Sequence, residues 1–257
     1  MLKNSIDIMT NAIVDILKNN YPSIYIFGSV ALDDFKLGWS DIDILCLTQT
    51  PITNEQASEL VSLRQALLER EKENKYFRSF EGGILSFDSF INKTTDEVVY
   101  WGTSGQRITN SYTFDSFSMY ELISDGILLY GQDIRNLLSM PTYNELRESV
   151  IQHYEVIRKY AKATDRSIYS VGWLLDIARC IYTLQTGKVI AKTKAGEWAL
   201  ENQLCPVADT LKKAIDIRKE PLNYINDNNF WDWTETLGDD IQKFADVLQE
   251  EINKHKH

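Results

Sequence analysis

The chain has 257 residues, 44% of them hydrophobic and 25% charged, with a net charge of −10 and an isoelectric point near 4.9. That length and mixture describe one large or two ordinary globular domains and exclude a disordered chain. The acidic balance repels a phosphate backbone and so excludes duplex nucleic acid as a general partner; it suits a cationic small molecule or a substrate delivered with a metal ion.

Taken in chain order, residues 4–19 place Ile6, Ile8, Met9, Ala12, Ile13, Ile16 and Leu17 on one helical stripe, which Pro22 brings to a stop. This opening does not read as a signal peptide, and no apolar run approaches about 20 residues, so neither secretion nor a membrane span is expected. "IYIF" and "DIDILCL" read as strands from their β-branched and aromatic content. Residues 54–72 return to helical period with Ala57, Leu60, Val61, Leu67 and Leu68 on one face and Leu63 at its edge; Arg64 interrupts that face. "GGILSFDSFI" reads as a third strand, residues 116–125 as a helix and "GILLYG" as a short, buried, extended segment. After "SMPTYNE" the character changes. Five segments, from "YNELRESVIQHYEVIRKYAKA" to "DWTETLGDDIQKFADVLQEEINK", carry helical period, and no strand is expected after residue 140. The expected fold is α+β: a mixed α/β domain over residues 1–140, then an all-α helical bundle over residues 141–257.

Cys46, Cys180 and Cys205 are widely spaced, with no CxxC. The apolar surroundings of Cys46 and Cys180 predict buried free thiols and a reducing, cytoplasmic setting. His255 and His257 read as a frayed tail rather than a metal site.

The chemistry concentrates in "IYIFGSVALDDFKLGWSDIDILCL". Asp41 and Asp43 stand at i and i+2 where a strand begins, so both carboxylates share one face. Two ionised carboxylates side by side near apolar residues repel unless a cation neutralises them. Mg²⁺ does this with one or two carboxylates, several waters and substrate phosphates. Gly28 lets the backbone approach a ligand, and exposed N–H groups at a turn or helix start bind phosphate. Ser29 and Ser40 add hydroxyls. A phosphate-plus-metal site explains all five residues together.

"FGSVALDDFKLGWSDIDIL" resembles the hG[GS]…[DE]h[DE]h motif of the polymerase-beta superfamily of nucleotidyltransferases. Together with "YFRSFEGGIL", "LLYG" and "ARCIYTLQTGKVIAKTKAGEWAL" it is similar to the aminoglycoside adenylyltransferases that modify streptomycin or spectinomycin. The resemblance is strong in the two motif regions and faint between residues 90 and 145. It implies a nucleotidyltransferase domain with a small, mostly antiparallel or mixed sheet, a helical substrate-binding domain, ATP as co-substrate, and Mg²⁺ held by Asp41 and Asp43. It further implies a third acid, the general base, which can also bind metal. Glu81 has the family's spacing, and Asp88 is the alternative. Gly82 and Gly83 depart from the β-branched residues the family tends to have there, and glycine in a strand weakens it or marks a bulge. Lys192 matches the family lysine that reaches the ATP phosphates. Arg179, in an apolar helix, needs a partner, either a nucleotide phosphate or Asp176 one turn earlier.

A cationic sugar-like acceptor favours aromatic platforms and carboxylates, for which Trp101, Tyr112, Asp165, Trp173, Asp176, Trp231 and Trp233 are candidates. The family's streptomycin-contacting Trp and Asp are not matched in place within "TDRSIYSVGWLLDIARC", which leaves spectinomycin or another hydroxylated acceptor open. The expected partner is thus a cationic antibiotic, taken by a monomer with no nucleic acid and no membrane. Two other functions fit the same fold: a toxin–antitoxin protein that adenylylates another protein, and a non-catalytic nucleotide sensor. The long helical half argues against the first and the intact acids against the second.

Overall fold

The first helix forms where its stripe predicts, and its burial follows that stripe. In this computed structural model, which describes residues 1–94, 97–102 and 105–255, α1 (Leu2–Leu17) buries Ile6, Met9, Ile13 and Leu17. The chain divides into two compact units. One comprises Met1–Leu32, Ser40–Phe114 and Glu121–Met140; the other takes Asp33–Trp39, Asp115–Tyr120 and the chain from Pro141 onward.

The first unit is built on a mixed sheet with strand order β5-β4-β3-β2-β1-β6 among the described residues. Its strands are β1 (Ser23–Phe27), β2 (Ile42–Thr48), β3 (Phe80–Ser86), β4 (Val98–Gly102), β5 (Gly105–Thr109) and β6 (Ile127–Tyr130). Only the β2–β3 pair is parallel among those described; the rest are antiparallel. A short helix α2 (Gly28–Ala31) follows β1 directly. α3 (Asn54–Arg70) starts on a capping box, in which Thr53 accepts from the Gln56 N–H while the Gln56 side chain accepts from the Thr53 N–H. It buries Ala57, Leu60, Arg64 and Leu67, so the arginine that interrupts the apolar face is itself on the buried face.

The third strand is shorter than its sequence predicts. It ends at Ser86, whose hydroxyl accepts from the Ser89 N–H and caps α4 (Phe87–Asn92), so "FDSFI" is helix and not strand. β4 and β5 have no counterpart in the sequence reading, and β6, expected to be buried, is an edge strand with Ile127 and Tyr130 exposed.

The second unit is helical: α5 (Ser116–Ser124) begins in it, and α6 (Tyr143–Tyr160), α7 (Ile168–Thr186), α8 (Lys192–Glu201), α9 (Ala208–Lys219), α10 (Asn228–Thr234) and α11 (Gly238–Lys254) complete it. No strand follows residue 140 among the described residues. α7 packs against α6, α8, α9 and α11 and is buried around most of its circumference. Gly187 ends it in the left-handed conformation, its N–H bonded to the Thr183 carbonyl 2.8 Å away, so "TGK" is a helix stop. The last predicted helical segment breaks into α10 and α11. Cys46, Cys180 and Cys205 are free and buried, and burial pushes the Cys180 and Cys205 thiols up to about 12 and about 11. His257 lies outside the described residues. No described helix is long and apolar enough to cross a membrane.

Candidate active site

Three adjacent strands share one burial pattern. In β2 every residue is buried except Asp43; in β3 every residue is buried except Glu81; in β4 every residue is buried except Tyr100. Asp43 and Glu81 are register partners across the parallel pair, so their side chains leave the sheet on the same face. Asp41, just ahead of the strand, is close enough for its charge to act on Arg64 and Tyr100. Tyr100 opposes Gly83, two residues after Glu81, and completes the set.

The glycine motif packs directly onto these acids. Gly28 has φ +63°, and a Cβ there would stand 2.2 Å from Asp43 Oδ2, so only glycine brings the backbone this close to the carboxylate. The first turn of α2 carries no side-chain cap. Ser29 donates its hydroxyl hydrogen to the Asp41 carbonyl at 3.1 Å, which ties the two halves of the motif together. Ser40 is buried. Gly28, Ser29, Asp41, Asp43 and Glu81 are therefore assembled at one end of the central strands. Asp88 is not among them. It sits in the first turn of α4, beyond the other end of β3, beside a cavity of about 280 Å³ lined in part by Leu47, Phe87 and Asn136. At about 3.3 Å per strand residue, that separates it from Glu81 by roughly 20 Å.

Gly82 and Gly83 have physical reasons that sequence alone did not supply. The register between β2 and β3 runs through them without a shift, so there is no bulge. Gly82 has φ +149°, and a Cβ there would lie 1.7 Å from the Ile44 carbonyl oxygen. At Gly83 a Cβ would meet the Tyr112 ring at 2.6 Å. Gly82 excludes the β-branched residues of the resembling family, since backbone occupies that side, whereas a side chain at Gly83 would have to displace the end of the Tyr112 ring.

Two side chains at this end of the sheet have no role in the sequence reading. Tyr100 donates its phenol hydrogen to Glu81 Oε1 at 2.8 Å. Burial, then the hydrogen bond to Glu81 and that residue's charge, push the phenol up to about 12, so it stays protonated at neutral pH. Arg64 donates to the carbonyls of Phe80 at 2.7 Å and Gly102 at 3.1 Å, pinning the start of β3 to the end of β4. Burial lowers its pKa, and the charges of Glu81 and Asp41 act in the opposite direction. Arg64 was legible as an apolar-face anomaly; Tyr100 lies on an unread strand and carried no signal.

Among the described residues no group of three His, Cys, Asp or Glu side chains is placed to hold a metal ion. The expected three-acid set of Asp41, Asp43 and Glu81 is thus not a closed cage, and Glu81 is engaged by Tyr100 instead. Two half-buried hard-oxygen donors on one sheet face still fit Mg²⁺, which keeps waters and takes phosphate oxygens to fill its octahedron.

In the helical unit, the expected phosphate-binding cations have a protein partner. Lys192 Nζ lies 2.9 Å from Asp176 Oδ1, and Arg179 lies 3.5 Å from the same oxygen, so Asp176 answers Arg179's need for a counter-charge. Burial works to raise the Asp176 carboxyl, but Lys192 and Arg179 outweigh it and hold it below the usual carboxylate value. The α8 N-terminus that carries Lys192 has Ala191 at its cap position, and Asp34 serves in its place. Asp34 accepts from the Thr193 N–H at 3.3 Å and the Thr193 hydroxyl at 2.6 Å, and is paired with buried Arg218.

The acceptor candidates scatter. Trp101 is fully buried, with Nε1 donating to the Leu60 carbonyl at 3.0 Å, and is core. Asp165 locks a loop, its carbonyl accepting from Ser170 and Thr234. Trp173 packs on the helical core; Trp231 donates to the Ile225 carbonyl; Trp233 lies under the Lys213 ammonium at 3.9 Å. Tyr112 lies at the carboxylate face, its ring 6.1 Å from that of Tyr100.

With this geometry in hand, comparisons with known proteins are informative. Residues 11–94 match the family model of a nucleotidyltransferase domain, and residues 136–251 match that of the C-terminal domain of aminoglycoside adenylyltransferase. A curated relative, spectinomycin 9-adenylyltransferase of Enterococcus faecalis, is 24% identical over 231 residues, covering 84% of each chain. The fold is similar to that of an Enterococcus spectinomycin adenyltransferase, AAD(9), solved with ATP and spectinomycin. The TM-score is 0.68 at 18% identity, over 94% of this chain and 97% of that one.

Proposed function

This chain belongs to the aminoglycoside adenylyltransferases, and on that premise we propose that it transfers AMP from ATP to a hydroxyl of an aminocyclitol or aminoglycoside antibiotic, spectinomycin being the first acceptor to test. The observation that carries this reading is the register pair of Asp43 and Glu81 beside Gly28. It sets two acids side by side on one sheet face, where the family's chemistry needs a metal ligand and a base.

The acceptor oxygen attacks the α-phosphorus, a new P–O bond forms, and the bond to the β-phosphate oxygen breaks, releasing pyrophosphate. Mg²⁺, when bound with ATP, offsets charge on the phosphates. Asp41 and Asp43 are the side chains that would hold it. Gly28, Ser29 and Ser40 position the phosphates. Glu81 takes the proton from the attacking hydroxyl. Most of the rate gain comes from positioning and fixed charge.

The test is a panel of aminocyclitols and lincosamides with ATP–Mg²⁺, read by pyrophosphate release. Release that depends on one acceptor supports the reading; none with any acceptor favours protein adenylylation or nucleotide sensing. Glu81→Gln should keep ATP binding and lose turnover.

A further inference from the structure

The backbone of Glu81 is fixed in the sheet, but a glutamate has three rotatable side-chain bonds that the strand itself does not fix. A base must present one oxygen to the acceptor within hydrogen-bond reach, and an error of about 1 Å is costly. The fold contains a device that removes this freedom. Gly102 faces Glu81 across the β3–β4 pair, since Gly82 opposes Trp101. With no side chain at Gly102, the Tyr100 ring lies over it; a Cβ there would meet the ring at 2.5 Å and the phenol oxygen at 2.8 Å. The ring is thereby led diagonally across the strand pair to Glu81 Oε1, 2.8 Å from its hydroxyl. The Arg107 guanidinium covers the ring at 4.6 Å, and the Tyr112 ring, seated in the space Gly83 leaves, stands beside it. Two glycines and two covering side chains fix one tyrosine whose polar end meets the acid.

We propose that Tyr100 is a positioning residue for Glu81: its phenol holds Oε1 and leaves Oε2 to face the acceptor hydroxyl. This rests on the reading of Glu81 as general base. Tyr100 touches neither nucleotide nor acceptor and acts through Glu81 alone. It also accounts for the Gly82-Gly83 departure on its outer side, because a β-branched residue at Gly83 would displace Tyr112 and loosen the wall behind Tyr100.

The experiment measures kcat, the KM for ATP and the KM for acceptor in wild type, Tyr100→Phe, Glu81→Asp and the double variant, with melting temperatures alongside. Tyr100→Phe keeps the ring under Arg107, so it is expected to fold and to lose about tenfold in kcat with both KM values unchanged. Glu81→Asp withdraws the carboxylate by one methylene, out of reach of the phenol, while retaining a base. In that background, adding Tyr100→Phe should cost less than about twofold, because the two residues act as a unit. Gly102→Ala, which displaces the ring but keeps the hydroxyl, should reproduce the kcat loss. Wild-type kcat in Tyr100→Phe, a raised KM instead of a lowered kcat, or an equal loss in both backgrounds overturns the role of Tyr100 while leaving AMP transfer standing. A wild-type enzyme that transfers AMP to no acceptor overturns both.

Discussion

The two units hold their charged groups by opposite means. In the first, Asp41, Asp43 and Glu81 are placed by strand register and by glycine: two neighbouring strands set the acids side by side, and the Gly28 backbone closes on Asp43. In the second, Asp176 is placed by countercharge, with Lys192 and Arg179 gathered on one half-buried carboxylate. Like charges on one sheet face raise the energy of the folded chain; opposite charges between helices lower it once the carboxylate is buried. The first arrangement sets acids beside acids, and the second sets one acid between two cations. Removing an acid from the first should cost activity, and removing it from the second should cost stability.

The largest effect expected is at Asp43 and Asp41. Either residue changed to Asn should reduce AMP transfer by about 10³-fold. Melting temperature should stay close to that of wild type; a fall as large as that expected at Asp176 would break the contrast. Next is Gly82→Ala. With 1.7 Å to the Ile44 carbonyl, β2 and β3 must part, and a loss of about 4 kcal/mol or more in denaturant unfolding is expected. Asp176→Ala leaves two cations without their acid and should cost about 3 kcal/mol at pH 7. Its pH dependence has a definite sign. The folded carboxyl lies below its usual value. Its stabilisation is therefore fully present above the unfolded value of about 3.9 and lost as pH falls through the folded one. The gap between wild type and variant should be constant from about pH 7 to pH 5 and close only below about pH 4. The smallest effect is at Thr193→Ala, which removes the hydroxyl bonded to Asp34 and should cost about 1.5 kcal/mol by the same unfolding measurement.

The same contrast explains what could be read from the chain. Asp41 and Asp43 were legible because strand period is two and the motif is local. Gly28 and Ser29 were legible with them because a strand-ending glycine has few other uses in that company. Glu81 needed a resemblance, since register between β2 and β3 is set by nonlocal pairing. Asp88 stood as the alternative until Ser86 proved to be a helix cap and placed it beyond the other end of β3. β4 was missed entirely, and Tyr100 with it. Trp101, one residue on, looked like an acceptor platform and is core, because strand alternation could not be phased without knowing the strand. In the helical half, period gave the helices and Gly187 their end. The meeting of Lys192 with Asp176 depends on how α7 and α8 pack, which helical period does not encode. Two segments of the first 140 residues, Asp33–Trp39 and Asp115–Tyr120, join the helical unit, and their sequence carries no mark of it.

The most direct test of the whole account is acceptor-dependent pyrophosphate release from ATP–Mg²⁺, with the acceptor's mass measured before and after, in wild type and Asp43→Asn. The account predicts that wild type releases pyrophosphate only when a hydroxylated aminocyclitol such as spectinomycin is present, that the acceptor gains one AMP, and that Asp43→Asn folds and does neither. Release in the absence of any acceptor with no AMP on the antibiotic, or full transfer by Asp43→Asn, would contradict it.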